Sequence, residues 1–297
     1  MSVLTVNNLS KNFGRIQALK NVSFSVPEGV VFGILGPNGS GKTTLLGTIV
    51  DIIRPTSGSY GLFDGAPNGD ARRKVGTLLE TPNFYHYLNP VENLRITAAI
   101  KQIENADIMK ALETVNLAHR RSSKFSTFSL GMKQRLAIAA CLLGDPEVLI
   151  FDEPTNGLDP TGIAEIRQLM RNLHALGKTI IMASHLLDEV EKVCTDVAIL
   201  KNGDLLAVGK VSDILSDEEI VEVSATDMER LYAMLTSYEG ALRIEKSTGV
   251  LSVYFPKGVS NPERLNEYCH NKGLSLNHLV ARKKSLESRF IELTNNN

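Results

Sequence analysis

The chain opens with two stretches in which apolar and polar residues alternate, 3–9 and 19–26, the period of half-buried strands. Between them Ser10-Lys11-Asn12-Phe13-Gly14-Arg15 reads as a turn carrying one aromatic ring. Residues 30–35, 148–152 and 179–183 follow a different pattern: unbroken apolar runs of strand length, suited to strands buried on both faces of a parallel sheet. Residues 60–63 and 75–80 predict two more strands, with a break at Thr81-Pro82-Asn83. From Pro90 to about residue 142 apolar positions recur at helical spacing, with Asn89 as N-cap and Pro90 at the first helical position. Ser129 is a second good N-cap, opening a helix through 136–140.

These elements predict an α/β core with an antiparallel β-subdomain and an inserted helical subdomain over about 85–145. An amphipathic helix over 161–176, a helix over 187–193 and a hairpin around Lys201-Asn202-Gly203-Asp204 complete it. The acidic stretch 213–219 marks a boundary, giving a domain over 1–215 and a small α+β domain over 216–297. The second part reads strand, helix, strand, strand, helix, strand, then a last helix and a frayed tail at 295–297. That order suggests a ferredoxin-like module.

Bulk properties narrow the function classes. With 297 residues, 43% of them hydrophobic, the chain has material for one large and one small core. A net charge of -1 gives no bulk argument for nucleic acid, and none is expected as a partner. Cys141, Cys194 and Cys269 are far apart, share no metal-ligand spacing and read as reduced thiols of a cytosolic protein. No apolar run reaches membrane-spanning length and no signal-peptide pattern opens the chain, so a soluble protein is expected. Action at a membrane would then require a partner that spans it.

The chemistry starts at Gly36-Pro37-Asn38-Gly39-Ser40-Gly41-Lys42-Thr43-Thr44, which fits G-x-x-x-x-G-K-[ST] between a predicted strand and a predicted helix. Glycines let consecutive backbone N–H groups turn inward, and the helix adds its own free N–H groups. A helix dipole supplies only about 0.3–1 kcal/mol, too little to hold a triphosphate, so Lys42 and a Mg²⁺ ion bound by the Thr43 hydroxyl must carry the charge. The strand over 148–152 ends in Asp152 and Glu153. A buried parallel strand delivers such residues to the ligand edge of the sheet, Asp152 for Mg²⁺ and Glu153 for the attacking water. The strand over 179–183 brings His185 to the same edge. Phe13 could stack on a nucleobase or simply sit in the core.

Together these stretches resemble the ATP-binding subunits of ABC transporters. More narrowly they resemble the bacterial single-domain class with a short C-terminal extension, which includes bacitracin-resistance-type and multidrug exporter subunits. The resemblance covers the whole chain, with specific motifs over 1–210 and weak ones beyond. It implies ATP and Mg²⁺ as ligands, Walker A at Gly36 to Thr44, Walker B ending at Asp152, and Glu153 as general base. It also implies Phe13 stacked on adenine, Asp159 as the D-loop aspartate and His185 as the switch histidine. The family signature Leu-Ser-Gly-Gly-Gln corresponds to Phe128-Ser129-Leu130-Gly131-Met132, where Ser129 and Gly131 agree. Glu80 stands where the family's Q-loop glutamine falls; it can contact Mg²⁺ or its water but adds negative charge beside the triphosphate.

The resemblance further implies two such chains, identical or merely similar, closing head to tail around two ATP molecules on the cytoplasmic face of the membrane. Their closure would drive an integral membrane permease subunit, with export of a drug, antibiotic or lipid-like cargo favoured. The competing expectation is a soluble ATPase of the same type acting on a protein or nucleic-acid complex. The C-terminal module would regulate the ATPase by binding an effector or by dimerising.

Overall fold

The buried runs assemble around the phosphate loop. In the computed structural model the described residues are 1–65, 69–79, 83–215, 218–283 and 286–295. The turn expected at Thr81-Pro82 and the last two residues lie outside them. By packing, the chain divides into two units, Met1–Val211 and Ser212–Asn297.

The first unit begins with β1 (Ser2–Phe13) and β2 (Ile16–Pro27), an antiparallel hairpin joined at Gly14-Arg15. β1 is longer than the alternation indicated. Lys11, Asn12 and Phe13 pair with Leu19, Gln17 and Ile16, and register shifts absorb the polar residues that read as a turn. β3 (Val31–Leu35) then enters the core and α1 (Lys42–Ile49) leaves the phosphate loop. β4 (Ser57–Leu62) pairs with β1, giving a three-stranded sheet in the order β2-β1-β4. A short helix, α2 (Gly69–Arg73), precedes β5 (Val75–Leu78).

The helical segment contains α3 (Pro90–Ile100), α4 (Ile108–Thr114), two 3₁₀ turns and α5 (Leu130–Leu142). Asn89 caps α3 in a full capping box with Glu92, as its sequence suggests. The chain returns to the core through β6 (Val148–Asp152), α6 (Pro160–Ala175), β7 (Thr179–Ser184), α7 (Leu187–Val193), β8 (Asp196–Lys201) and β9 (Asp204–Lys210). The large sheet runs β5-β6-β7-β3-β8-β9, parallel except for β9. Every residue of β3, β6 and β7 is buried, as apolar runs covered on both faces require.

One core joins the two sheets of this unit. Val6, Leu9, Val22 and Val26 of the hairpin pack with Leu45, Leu46 and Ile49 of α1 and with Ile34, Ile150 and Ile181 of the parallel sheet. Each such side chain contributes roughly 1.5–3 kcal/mol on burial. The phosphate loop is thereby anchored at both ends, by β3 before it and by α1 after it.

A short helix, α8 (Val211–Ile214), leads to the second unit. That unit holds β10 (Glu218–Ala225), α9 (Met228–Leu235), β11 (Arg243–Ser247), β12 (Val250–Pro256), α10 (Pro262–Asn271), β13 (Leu276–Lys283) and α11 (Leu286–Asn295). Its antiparallel sheet runs β11-β12-β10-β13, and it has its own core of Val221, Val223, Leu231, Val253, Phe255 and Leu265.

The three cysteines are buried and free. Burial pushes the Cys141 thiol up to about 12, and it raises those of Cys194 and Cys269 as well. Alkylation proceeds through the thiolate, so native protein at pH 8 should react at Cys141 about a thousandfold more slowly than a free thiol. Mass spectrometry after brief iodoacetamide treatment should find no labelled cysteine in the native chain and three in denaturant.

Candidate nucleotide site

Three neighbouring strands deliver the site. β7 lies between β6 and β3, with Leu35 opposite Ser184 and Asp152 opposite Ala183. The residues just past these strand ends, Gly36, Glu153 and His185, therefore emerge side by side. This is the edge at which open parallel sheets bind ligands.

The loop then folds back on itself. Gly41 sits at the N-terminus of α1 with φ 107, a left-handed conformation, and a Cβ there would lie 2.4 Å from the Ala18 carbonyl oxygen. No side chain caps α1. Asn89, Asp107, Ser129, Asp159, Asp227 and Asn261 cap α3, α4, α5, α6, α9 and α10 by accepting from backbone N–H groups. The first-turn donors of α1 are thus left for an anion.

Lys42 is the buried charge of the site, 5% exposed. Its Nζ donates to the carbonyls of Gly36 at 2.9 Å and Pro37 at 3.2 Å, and lies 3.4 Å from Glu153 Oε1. The other carboxylate oxygen, Glu153 Oε2, is held by His185 Nδ1 at 2.8 Å and by the His185 backbone N–H at 3.4 Å. An ionised carboxylate only accepts, so this contact puts a proton on Nδ1. Glu153 itself has φ 48, and its N–H donates to Ala183 O at 3.0 Å. A non-glycine residue in that region is strained by roughly 1–3 kcal/mol and is kept there by its surroundings.

A cleft of about 420 Å³ opens over this cluster. It is lined by Asn38, Gly39, Gly41, Lys42, Thr43 and Thr44 of the loop and the start of α1, by Glu153, by Ile16, Gln17 and Ala18 of the hairpin, and by Asn202. Gly36 and Ser40 are buried beneath the loop, and Pro37 is exposed. Asp152 is buried at the end of β6. Phe13 lies near the tip of the hairpin, 49% exposed, with Lys11 Nζ 4.8 Å from its ring centre, and is not among the lining residues. The hairpin residues that do line the cleft, and Asn202, were not singled out by the sequence.

Ser129, Gly131 and Asp159 are not among the residues that line the cleft. Ser129 Oγ accepts from Met132 N at 3.3 Å and caps α5, with Gly131 in its first turn. Asp159 Oδ1 accepts from Gly162 N at 2.9 Å and caps α6. Glu80 lies outside the described residues.

Gly41→Ala tests this architecture. The substitution combines left-handed strain with a backbone clash and should destabilise the chain by about 2–4 kcal/mol. Urea denaturation of the full chain would measure this; a loss under 1 kcal/mol would contradict the close approach of loop and hairpin.

Known proteins share this arrangement. The ABC transporter family profile matches residues 19–156. The bacitracin transport ATP-binding protein BcrA of Enterococcus faecalis is 34% identical, covering 98% of this chain and 96% of its own length. The lantibiotic transport ATP-binding protein SrtF of Streptococcus pyogenes is 36% identical over 69% of this chain and 89% of its own. A dimeric post-hydrolysis state of the ATP-binding cassette MJ0796, bound to ADP and Pi, superposes with a TM-score of 0.62 at 28% identity, covering 70% of this chain and 98% of that one. Full-length kinship of this kind, on a fold with this loop and these strand-end residues, makes the chain a member of the ATP-binding, ATP-hydrolysing proteins of ABC transporters.

Proposed function

We propose that residues 1–215 bind Mg²⁺-ATP in the cleft and hydrolyse it to power a separate membrane-spanning permease, with 216–297 as an accessory domain. The observation that carries this reading is the chain of contacts from Lys42 through Glu153 to His185. Glu153 is the general base: water attacks the γ-phosphorus, the bond to the β–γ bridging oxygen breaks, and Glu153 takes the proton. His185 holds the carboxylate in place. Lys42, drawn from the Gly36 and Pro37 carbonyls, meets the β- and γ-phosphates.

The oxygen donors suit Mg²⁺. Thr43 supplies a hydroxyl at the cleft, and Asp152 a carboxylate at the adjoining strand end. Among the described residues no group of three or more His, Cys, Asp or Glu side chains could cage a metal. Mg²⁺ fits that situation, since it is usually bound by one or two protein oxygens together with phosphates and water. When bound, it neutralises charge on the phosphates.

Ser129 and Gly131, at the start of α5 and outside the lining of their own cleft, serve the ATP of a second chain, identical or similar, packed head to tail. Asp159 lies at that same interface, and Phe13 stacks on adenine. No helix among the described residues is long and apolar enough to cross a membrane, so a permease subunit must supply the path. The chain then works on the cytoplasmic face. Kinship with proteins named for bacitracin and lantibiotic transport favours export of an antibiotic-type cargo.

Glu153→Gln should keep ATP binding and lower turnover by about 10²–10⁴-fold, or roughly 3–5 kcal/mol of barrier. Single-turnover phosphate release measures it; near-normal hydrolysis would remove Glu153 from the role of base. Lys42→Ala should instead weaken ATP binding itself, seen by calorimetry. Affinity purification from native membranes should bring down a multi-span membrane protein. Recovery of a soluble complex alone would overturn the transport reading.

A further inference from the structure

The lining of the cleft is of two kinds, the phosphate loop with Glu153 and the hairpin residues with Asn202. Lys42 and Glu153 lie together and suit the terminal phosphate under the reading above. A triphosphate on the loop leaves Ile16, Gln17, Ala18 and Asn202 as the lining residues available to the nucleoside. Asn202 belongs to the turn between β8 and β9, and two observations fix that turn against the site. Gly203 N donates to Ser40 O at 3.0 Å, and Lys20 N donates to Gly203 O at 2.9 Å, so the turn bridges the phosphate loop and the hairpin. A Cβ at Gly203 would meet the carbonyl oxygens of Ala18 at 2.9 Å and Gln17 at 3.0 Å, so the turn presses directly on β2. The Lys20–Asp204 ion pair at 2.7 Å clamps the same junction.

The geometry points to Asn202, with Gln17 beside it, as the nucleoside-recognising wall of the cleft. Both carry primary amides, which donate and accept, and so match ribose hydroxyls and the mixed donor and acceptor edge of a base. The backbone of Asn202, at φ 51, would favour asparagine for the turn alone. The test must therefore remove the amide and keep the turn. Glycine does so, because it takes a positive φ without strain.

The inference rests on ATP being the ligand, and inorganic tripolyphosphate separates the two claims. Binding of Mg²⁺-ATP and Mg²⁺-tripolyphosphate would be measured by calorimetry on the full-length wild type, Asn202→Gly and Gln17→Ala. Losing one neutral hydrogen bond should weaken ATP about three- to tenfold in each variant, with tripolyphosphate changed less than twofold. Unchanged ATP affinity in both variants would overturn the assignment. So would equal weakening of ATP and tripolyphosphate, which would make the turn a brace for the loop. Wild-type protein that binds neither ligand would sink the nucleotide reading itself.

Discussion

A buried ammonium group, Lys42, is the constraint on which the candidate site of the first unit depends. Removing an ion from water costs several kcal/mol unless other groups replace its hydration. Lys42 is almost fully enclosed, and two loop carbonyls and the Glu153 carboxylate meet its charge. Those acceptors come from different parts of the chain. Lys42 follows β3 and Glu153 follows β6, with β7 between them. Strands two apart are separated by about 10 Å, a gap that only two long side chains leaning together can close. The strand order is thus a condition for charge balance at the loop, and the shared core of sheet, α1 and hairpin holds that order in place.

Helix termini show the same physics used in opposite ways. Among the described residues, six helices begin on an Asn, Asp or Ser whose side chain accepts a backbone N–H, and each such cap is typically worth about 1 kcal/mol. α1 forgoes that contribution, beginning instead on a glycine in a left-handed conformation. The open donors are a cost in the free chain and an asset once an anion is bound. Ser129 and Asp159 each satisfy the start of their own helix, and each is proposed to face a partner chain as well.

What was legible in the sequence depended on the range of the forces involved. The phosphate loop was readable because its glycines, lysine and flanking strand and helix lie within twenty or so residues and act through local backbone geometry. The buried strands were readable because burial on both faces leaves an apolar run. β1 beyond residue 9 was misread as a turn, since Ser10, Lys11 and Asn12 look like turn formers. Cross-strand pairing with β2 overrode that preference. The left-handed backbone of Glu153 had no sequence signal at all. Asn202 could be recognised as a hairpin turn and nothing more, because its position at the cleft depends on β8 lying beside β3, some 160 residues away in the chain.

The contacts of Glu153 also constrain how hydrolysis can begin in the proposed mechanism. Glu153 is engaged on both carboxylate oxygens, by Lys42 on one side and His185 on the other. Phosphates offer Lys42 more negative charge than one carboxylate and two carbonyls do. Their arrival exchanges one set of charge-assisted bonds for another, so little of the net cost falls on the ammonium. The same exchange frees Glu153 Oε1 while His185 keeps Oε2 in register. In the proposed mechanism Glu153 Oε1 is therefore open to the attacking water only when the phosphates have drawn Lys42 away, and the order of binding before chemistry follows from the competition for one lysine.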